Sequence, residues 1–202
     1  MDKKPNTSSM VNNNYIALDN RLIYQEQKKV LRYLFEKVDL SKIVFVGGIA
    51  DYLNLRDYYH MIINDVDLIY EEEKYLETFL KENQATKYKN KFYESLHDEV
   101  LVVNIPVGKK LVHFDLFRKD FEDVEITESI LLGKKVLHKS FEAMRTFHNT
   151  EIGKQTSEVM QKKYEWKRLY KHSIKASLYN TVYHGTCKKS QDEMPIRYAL
   201  TK

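Results

Sequence analysis

A chain of 202 residues with 43% apolar side chains, 15 Tyr and 9 Phe can bury a core of its own, which argues against wholesale disorder. Its single cysteine, Cys187, excludes an internal disulfide framework and a cysteine-ligated zinc site. No run of eighteen apolar residues occurs, and residues 1–14 lack the apolar stretch of a secretory signal, so a soluble, cytoplasmic protein with no membrane attachment is expected. The net charge of +4 is unevenly divided: residues 1–130 hold 18 Lys/Arg against 23 Asp/Glu, and residues 131–202 hold 15 against 6. An acidic front beside a basic C-terminal third suits the holding of a polyphosphate or a nucleic acid, and equally a lysine-rich solvated helical surface.

Residues 1–14, polar and rich in Asn, Ser and Lys, read as a flexible arm. From 21 to 38 the apolar residues Val30, Leu31, Leu34, Phe35 and Val38 recur at helical steps. The apolar run 43–46 reads as a buried strand ended by Gly47-Gly48. A helix over 49–58, a strand over 61–70 and a charged helix over 72–83 follow. Strands at 99–107 and 111–117 around Gly108-Lys109-Lys110 form an antiparallel hairpin. After Glu125 the pattern reads as helical to about residue 183, most clearly at 141–148 and 157–179. The residues thus divide into an arm (1–14), a core (15–130), a C-terminal helical region (131–184) and a polar tail (185–202). The expected class is α+β, a mixed β-sheet with flanking helices followed by helices.

Three aspartates carry the chemistry. Alternation along a strand puts Asp65 and Asp67 on one face, their Cα atoms about 7 Å apart. Two carboxylates so placed repel unless a cation lies between them, and magnesium suits such oxygen ligands. Asp115, flanked by Phe114 and Leu116, is costly in an apolar strand unless paired or metal-bound. If its strand neighbours the second one, three carboxylates can hold two metals about 3.5–4 Å apart, the arrangement for in-line phosphoryl displacement. Gly47-Gly48, at the end of a strand and the start of a helix, exposes backbone N–H groups at an anion-attracting terminus. Each feature alone has an ordinary explanation, a turn or a solvated strand end. Their order, spacing and apolar flanks agree with one another.

These residues resemble the polymerase-β-like nucleotidyltransferase superfamily. Its pattern of an apolar strand, Gly-Gly, a helix, Asp-apolar-Asp and a later acidic strand stands here as Val44-Phe45-Val46-Gly47-Gly48, Asp65-Val66-Asp67-Leu68-Ile69 and His113-Phe114-Asp115-Leu116-Phe117. The Val-Gly-Gly start looks most like small stand-alone members, such as abortive-infection-type toxin enzymes, and Ile130-Leu131-Leu132-Gly133-Lys134-Lys135-Val136-Leu137 looks like their lead into C-terminal helices. The likeness covers roughly residues 30–150. It implies the nucleotidyltransferase fold, two Mg²⁺ ions (with Mn²⁺ as a substitute), an NTP donor (ATP, CTP, UTP or GTP) and transfer of a nucleoside monophosphate to a hydroxyl. It further implies that Asp65 and Asp67 bind both metals, that Asp115 binds the catalytic one and helps deprotonate the acceptor, and that Gly47 and Gly48 hold the phosphates. This chain departs from the pattern in a sixteen-residue gap between Gly48 and Asp65, which predicts an extended loop around 57–60, and in Ile49 where many members have Ser or Thr.

Arg56 and Lys171 are the cations expected at the triphosphate, since developing charge needs a partner. Lys162, Lys163, Lys167, Arg168 and Lys171, interleaved with Tyr164, Trp166 and Tyr170, read either as a clamp for triphosphate or an RNA acceptor, or as an amphipathic helix with its aromatics in the core. The second reading is preferred for most of them, with RNA slightly favoured as acceptor from the basic C-terminal third. His113 shares a face with Asp115. No His-x3-His, P-loop or Gly-x-Ser-x-Gly pattern occurs, which disfavours zinc hydrolases, P-loop enzymes and α/β-hydrolases. The competing function is a non-catalytic nucleotide- or RNA-binding protein on the same fold.

Overall fold

The computed structural model describes residues 7–63, 65–83, 85–88, 99–160 and 166–185. Its centre is a seven-stranded mixed sheet in the order β3-β4-β5-β2-β1-β7-β6. The strands are β1 (Ile43–Val46), β2 (Val66–Tyr70), β3 (Thr86–Tyr88), β4 (Glu99–Val107), β5 (Lys110–Arg118), β6 (Ile126–Leu131) and β7 (Lys134–Lys139). The helices are α1 (Thr7–Leu22), α2 (Gln25–Lys37), α3 (Gly47–Leu55), α4 (Lys74–Glu82), α5 (Phe141–Met160) and α6 (Trp166–Tyr183). This is the expected α+β class, a mixed sheet with flanking helices. Among the described residues no helix is long and apolar enough to cross a membrane.

Strand alternation sorts the side chains into two layers. Ile43 and Phe45 of β1, Val66, Leu68 and Tyr70 of β2, and Val112, Phe114 and Leu116 of β5 join the main core. The helical stripe of α2 (Val30, Leu31, Leu34, Phe35) and that of α4 (Leu76, Phe79, Leu80) cover this face. The intervening residues face the other way. Val44 and Ile69 pack there with Val124, Phe117 and Leu137 in a smaller cluster. Asp67, His113 and Asp115 therefore lie on the face opposite the main core.

Four expectations need correction. Residues 126–139 are a hairpin, not helix: β6 and β7 pair antiparallel through Leu132-Gly133, whose positive φ angles of 49° and 82° make the tight turn that matches strand twist. The many Glu and Lys of this segment mask its alternation, and its second strand is held by a parallel pairing with β1 that comes from far along the chain. The sheet thus runs to Lys139, and the helical region starts at Phe141 rather than at 131. Residues 7–14 belong to α1, not to an arm; residues 1–6 and, from the polar tail, 186–202 lie outside the described residues. The helix read over 21–38 is interrupted at Ile23, which bridges to Ile63, and resumes as α2. The second strand starts at Val66 rather than at 61, because β1 is only four residues long and its register ends with Val46 opposite Asp67. Met61 and Ile63 are buried in cores instead.

One polar cluster ties α1 to this frame. Asp19, fully buried, accepts hydrogen bonds from Tyr52 Oη (2.5 Å) and from the Leu132 backbone N–H (2.6 Å), and it pairs with Arg56 at 3.6 Å. Arg56 also donates to the Ile130 carbonyl (2.6 Å) and stacks on Tyr15. Truncating Asp19→Ala leaves a buried guanidinium and a turn N–H without their acceptor. The expected loss is about 3–5 kcal/mol in chemical denaturation, the range for breaking one side of a buried pair. A loss below about 1 kcal/mol would show that the cluster is not what holds α1.

Candidate functional site

The site is built where β1 ends. Val46 is opposite Asp67, and Asp67 is in turn beside Asp115 in the parallel β2–β5 ladder, so two acids stand side by side next to the strand that leads into the glycines. Asp65 precedes β2 by one residue.

The glycines are in contact with the acids. Gly47 adopts φ +55°, in the left-handed region, and a Cβ placed on it would lie 1.8 Å from Asp67 Oδ2 and 2.7 Å from its Cγ. A Cβ on Gly48 would lie 3.3 Å from Asp65 Oδ1. The Asp67 carboxylate thus occupies the space that any side chain at 47 would need, and Asp65 leans on the next residue. Both glycines open α3, whose first backbone N–H groups have no partner within the helix and favour anions. Ile49 is fully buried in the main core, so this position faces the packing and not the site.

Electrostatics at Asp67 follow from this crowding. Burial first, then the neighbouring charges of Asp65 and Asp115, push its carboxyl far above the usual carboxylate range, while Lys171 and Lys175 of α6 pull it back down. His113 Nε2 lies 3.2 Å from Asp115 Oδ1, and its Nδ1 donates to Asn104 Oδ1 at 2.8 Å. The hydrogen bond to Asp115, opposed by burial, raises the imidazole pKa. Among the described residues no three His, Cys, Asp or Glu side chains converge into a finished ligand set. The acids are neighbours that stand side by side.

The two expected cations part company. Lys171 is on α6, near enough for its charge to act on Asp67. Arg56 is not brought to the acids: its guanidinium is buried against Asp19, Tyr15 and the Ile130 carbonyl. The loop predicted around 57–60 is present as a turn over 56–58, followed by bridge residues at Met61 and Ile63.

A second constellation, not anticipated from the sequence, lies one turn further along α3. Asp51 is fully buried; its Oδ1 accepts from His148 Nε2 (2.8 Å) on α5 and from Tyr179 Oη (3.0 Å) on α6, and its Oδ2 pairs with Lys175. Burial alone would raise the Asp51 carboxyl, but Lys175 and His148 hold it well below the usual range. His148 Nδ1 meets His172 Nδ1 at 3.0 Å. Burial, and then His148 and the cations Lys175, Arg168 and Lys171, push His172 down to about 3, so it stays neutral. This network fastens the helix bearing Lys171 and Lys175 to the helix that begins at Gly47. Its sequence signal was a lone Asp between Ala50 and Tyr52 inside an apolar helix, which calls for a buried partner.

No protein-family model and no curated protein matches this sequence. Among solved structures, the chain is similar to an antigenic nucleotidyltransferase-like protein from Paracoccidioides brasiliensis, at 14% identity and a TM-score of 0.46, covering 82% of this chain and 76% of that one. At that distance the likeness assigns no family.

Two outcomes are expected. Gly47→Ala adds a Cβ where Asp67 already is, and does so in a left-handed backbone, so it should destabilise the fold by about 1–3 kcal/mol and displace the carboxylate. Gly48→Ala, with a 3.3 Å approach, should be milder; equal thermal midpoints for the two variants would contradict the packing described. In acid, His172 must charge on unfolding. Its folded pKa lies below its unfolded value of about 6.5, so stability should fall as pH drops from about 6.5 towards 3. Denaturation curves of His172→Asn should be flatter over that window, and an unchanged pH slope would remove His172 from the account.

Proposed function

We propose that this chain is a divalent-metal-dependent nucleotidyltransferase that moves a nucleoside monophosphate from an NTP to a hydroxyl, releasing pyrophosphate. The observation that carries the reading is the seating of Asp67 against the bare α-carbon of Gly47, with Asp65 close to Gly48 and Asp115 beside Asp67 on the next strand. Carboxylates beside a helix N-terminus suit a metal–triphosphate complex, and this supports the reading.

The donor set fits the metal. It consists of carboxylates alone, and burial and mutual repulsion make the negative charge at Asp67 costly. A hard divalent ion such as Mg²⁺ or Mn²⁺ would relieve this cost. When bound it would supply charge neutralisation for the transferring phosphoryl group. Asp65 and Asp67 would hold two such ions, and Asp115 would share one of them.

The chain's own groups then have distinct tasks. The N–H groups at Gly47, Gly48 and the first turn of α3 hold the β- and γ-phosphates. Lys171 faces the acids from α6 and adds positive charge where the triphosphate lies. Asp115 is placed to take the proton of the acceptor hydroxyl, with His113 fixing its orientation. The acceptor oxygen forms a bond to the α-phosphorus, the bond from that phosphorus to the bridging oxygen breaks, and pyrophosphate leaves with the electron pair. Arg56 has no part in this, being committed to Asp19.

The test is incubation with each α-labelled NTP and Mg²⁺, offering RNA, protein and small-molecule acceptors in parallel. Wild type should transfer label to one of them. Asp65→Asn combined with Asp67→Asn should lower turnover by about 10³-fold or more, since it removes the carboxylates that neutralise the transferring group. The double variant should keep its far-UV circular dichroism and gain thermal stability without metal, because the repulsion between crowded carboxylates is relieved. Label transfer that survives the double change, or no transfer by wild type under any of these conditions, would sink the reading.

A further inference from the structure

Helix α6 carries more than the site needs. Over its 18 residues it holds Lys167, Arg168, Lys171 and Lys175 and no acidic residue. Lys175 is buried on Asp51, and Lys171 acts on Asp67, so this side of the helix is turned towards the carboxylates. The N-terminal turn beyond them presents Trp166 and Tyr170, 71% and 60% exposed. The sequence pattern favours placing these rings in the core. Instead His172, Lys175, Ala176 and Tyr179 make the buried side.

Two large rings exposed side by side form an apolar patch that calls for a partner, whereas a single ring can be covered locally. Tyr183, also exposed, is covered in this way: the Arg145 guanidinium stacks on it at 3.8 Å. Trp166 and Tyr170 are one helical turn apart, about 6 Å along the axis, on the same side of α6 and beside Lys167 and Lys171. Two adjacent rings bordered by cations form a stacking platform for unpaired bases with a seat for the backbone phosphates. Bases inside a duplex are stacked on each other and cannot reach such rings, which selects a single strand. The direction also fits. Lys175 is fastened to Asp51 on α3, and α3 opens on the glycines that carry Asp65 and Asp67.

We propose that the exposed face of α6 formed by Trp166, Lys167 and Tyr170, with half-buried Lys171 at its border towards the carboxylates, binds a single-stranded polynucleotide and leads its 3′ end to the carboxylate site. The strand is the acceptor, its terminal hydroxyl being the group that receives the nucleotide. This assignment rests on the nucleotidyltransferase reading only for the word acceptor; binding along α6 stands on the helix itself.

The experiment is fluorescence anisotropy with a labelled single-stranded RNA 15-mer of mixed sequence, in EDTA, across a series of salt concentrations. Wild type should bind, and binding should weaken steeply with salt. Trp166→Ala with Tyr170→Ala should weaken binding by about 10-fold or more while leaving the salt slope unchanged, because each ring contributes stacking and no charge. Trp166→Phe with Tyr170→Phe should restore most of the affinity. Lys167→Gln should reduce the salt slope by about one. A duplex of the same sequence should compete poorly. The aromatic variants should keep wild-type circular dichroism, since both rings are exposed. Asp65→Asn with Asp67→Asn should bind the strand at least as well as wild type, so failure of the chemistry and failure of the strand site are told apart. Absence of binding at low salt, or affinity unaffected by removal of both rings, would overturn the proposal.

Discussion

The rest of the site depends on the contact between a carboxylate and a glycine. Asp67 sits on the bare α-carbon of Gly47, in space that no other amino acid would leave open. The contact is made because β1 is short: its last residue, Val46, pairs with Asp67, and the chain must turn at once into α3. A left-handed residue makes that turn, and glycine is the one that does so without strain. The same geometry brings the start of α3, whose first N–H groups have no partner within the helix, next to the acids. Charge that crowds unfavourably is thereby brought next to the start of a helix, where the backbone favours anions and the carboxylates favour cations.

The crowding has to be contained by rigid surroundings, and two buried polar clusters do this. The Asp51 network joins α3, α5 and α6 around one carboxylate whose partners are all fully or nearly fully buried. The Asp19 cluster joins α1, α3 and the β6–β7 turn. Both start from α3, the element that begins at Gly47. Buried charges of this kind contribute little net stability compared with apolar packing, but they tolerate few alternative arrangements. They fix which residues of α6 look inward at the site and which look outward.

That division assigns the cations. Lys175 is an internal tether, Lys171 is turned towards the carboxylates, and Lys167 lies further out beside Trp166 and Tyr170. A basic C-terminal third therefore does not act as a uniform charged surface. One helix distributes its cations between structure, site and surface.

The pair Asp65-Asp67, the Gly47-Gly48 start and the adjacent Asp115 were legible in the sequence because each is a local pattern: spacing of two along extended chain, a glycine pair after an apolar run, an acid within apolar neighbours. The hairpin β4–β5 was legible for the same reason. The hairpin β6–β7 was not, because its charged residues obscure the period and its partner strand β1 lies far back in the chain. What the sequence by itself determined was which acids and glycines occur and their local order along the chain. Only the tertiary structure decided that Arg56 is spent on Asp19, that Lys175 is buried on Asp51, and that Trp166 and Tyr170 stay outside. Helical period says which residues share a face, whereas which face is covered depends on elements that pack against it from elsewhere in the chain.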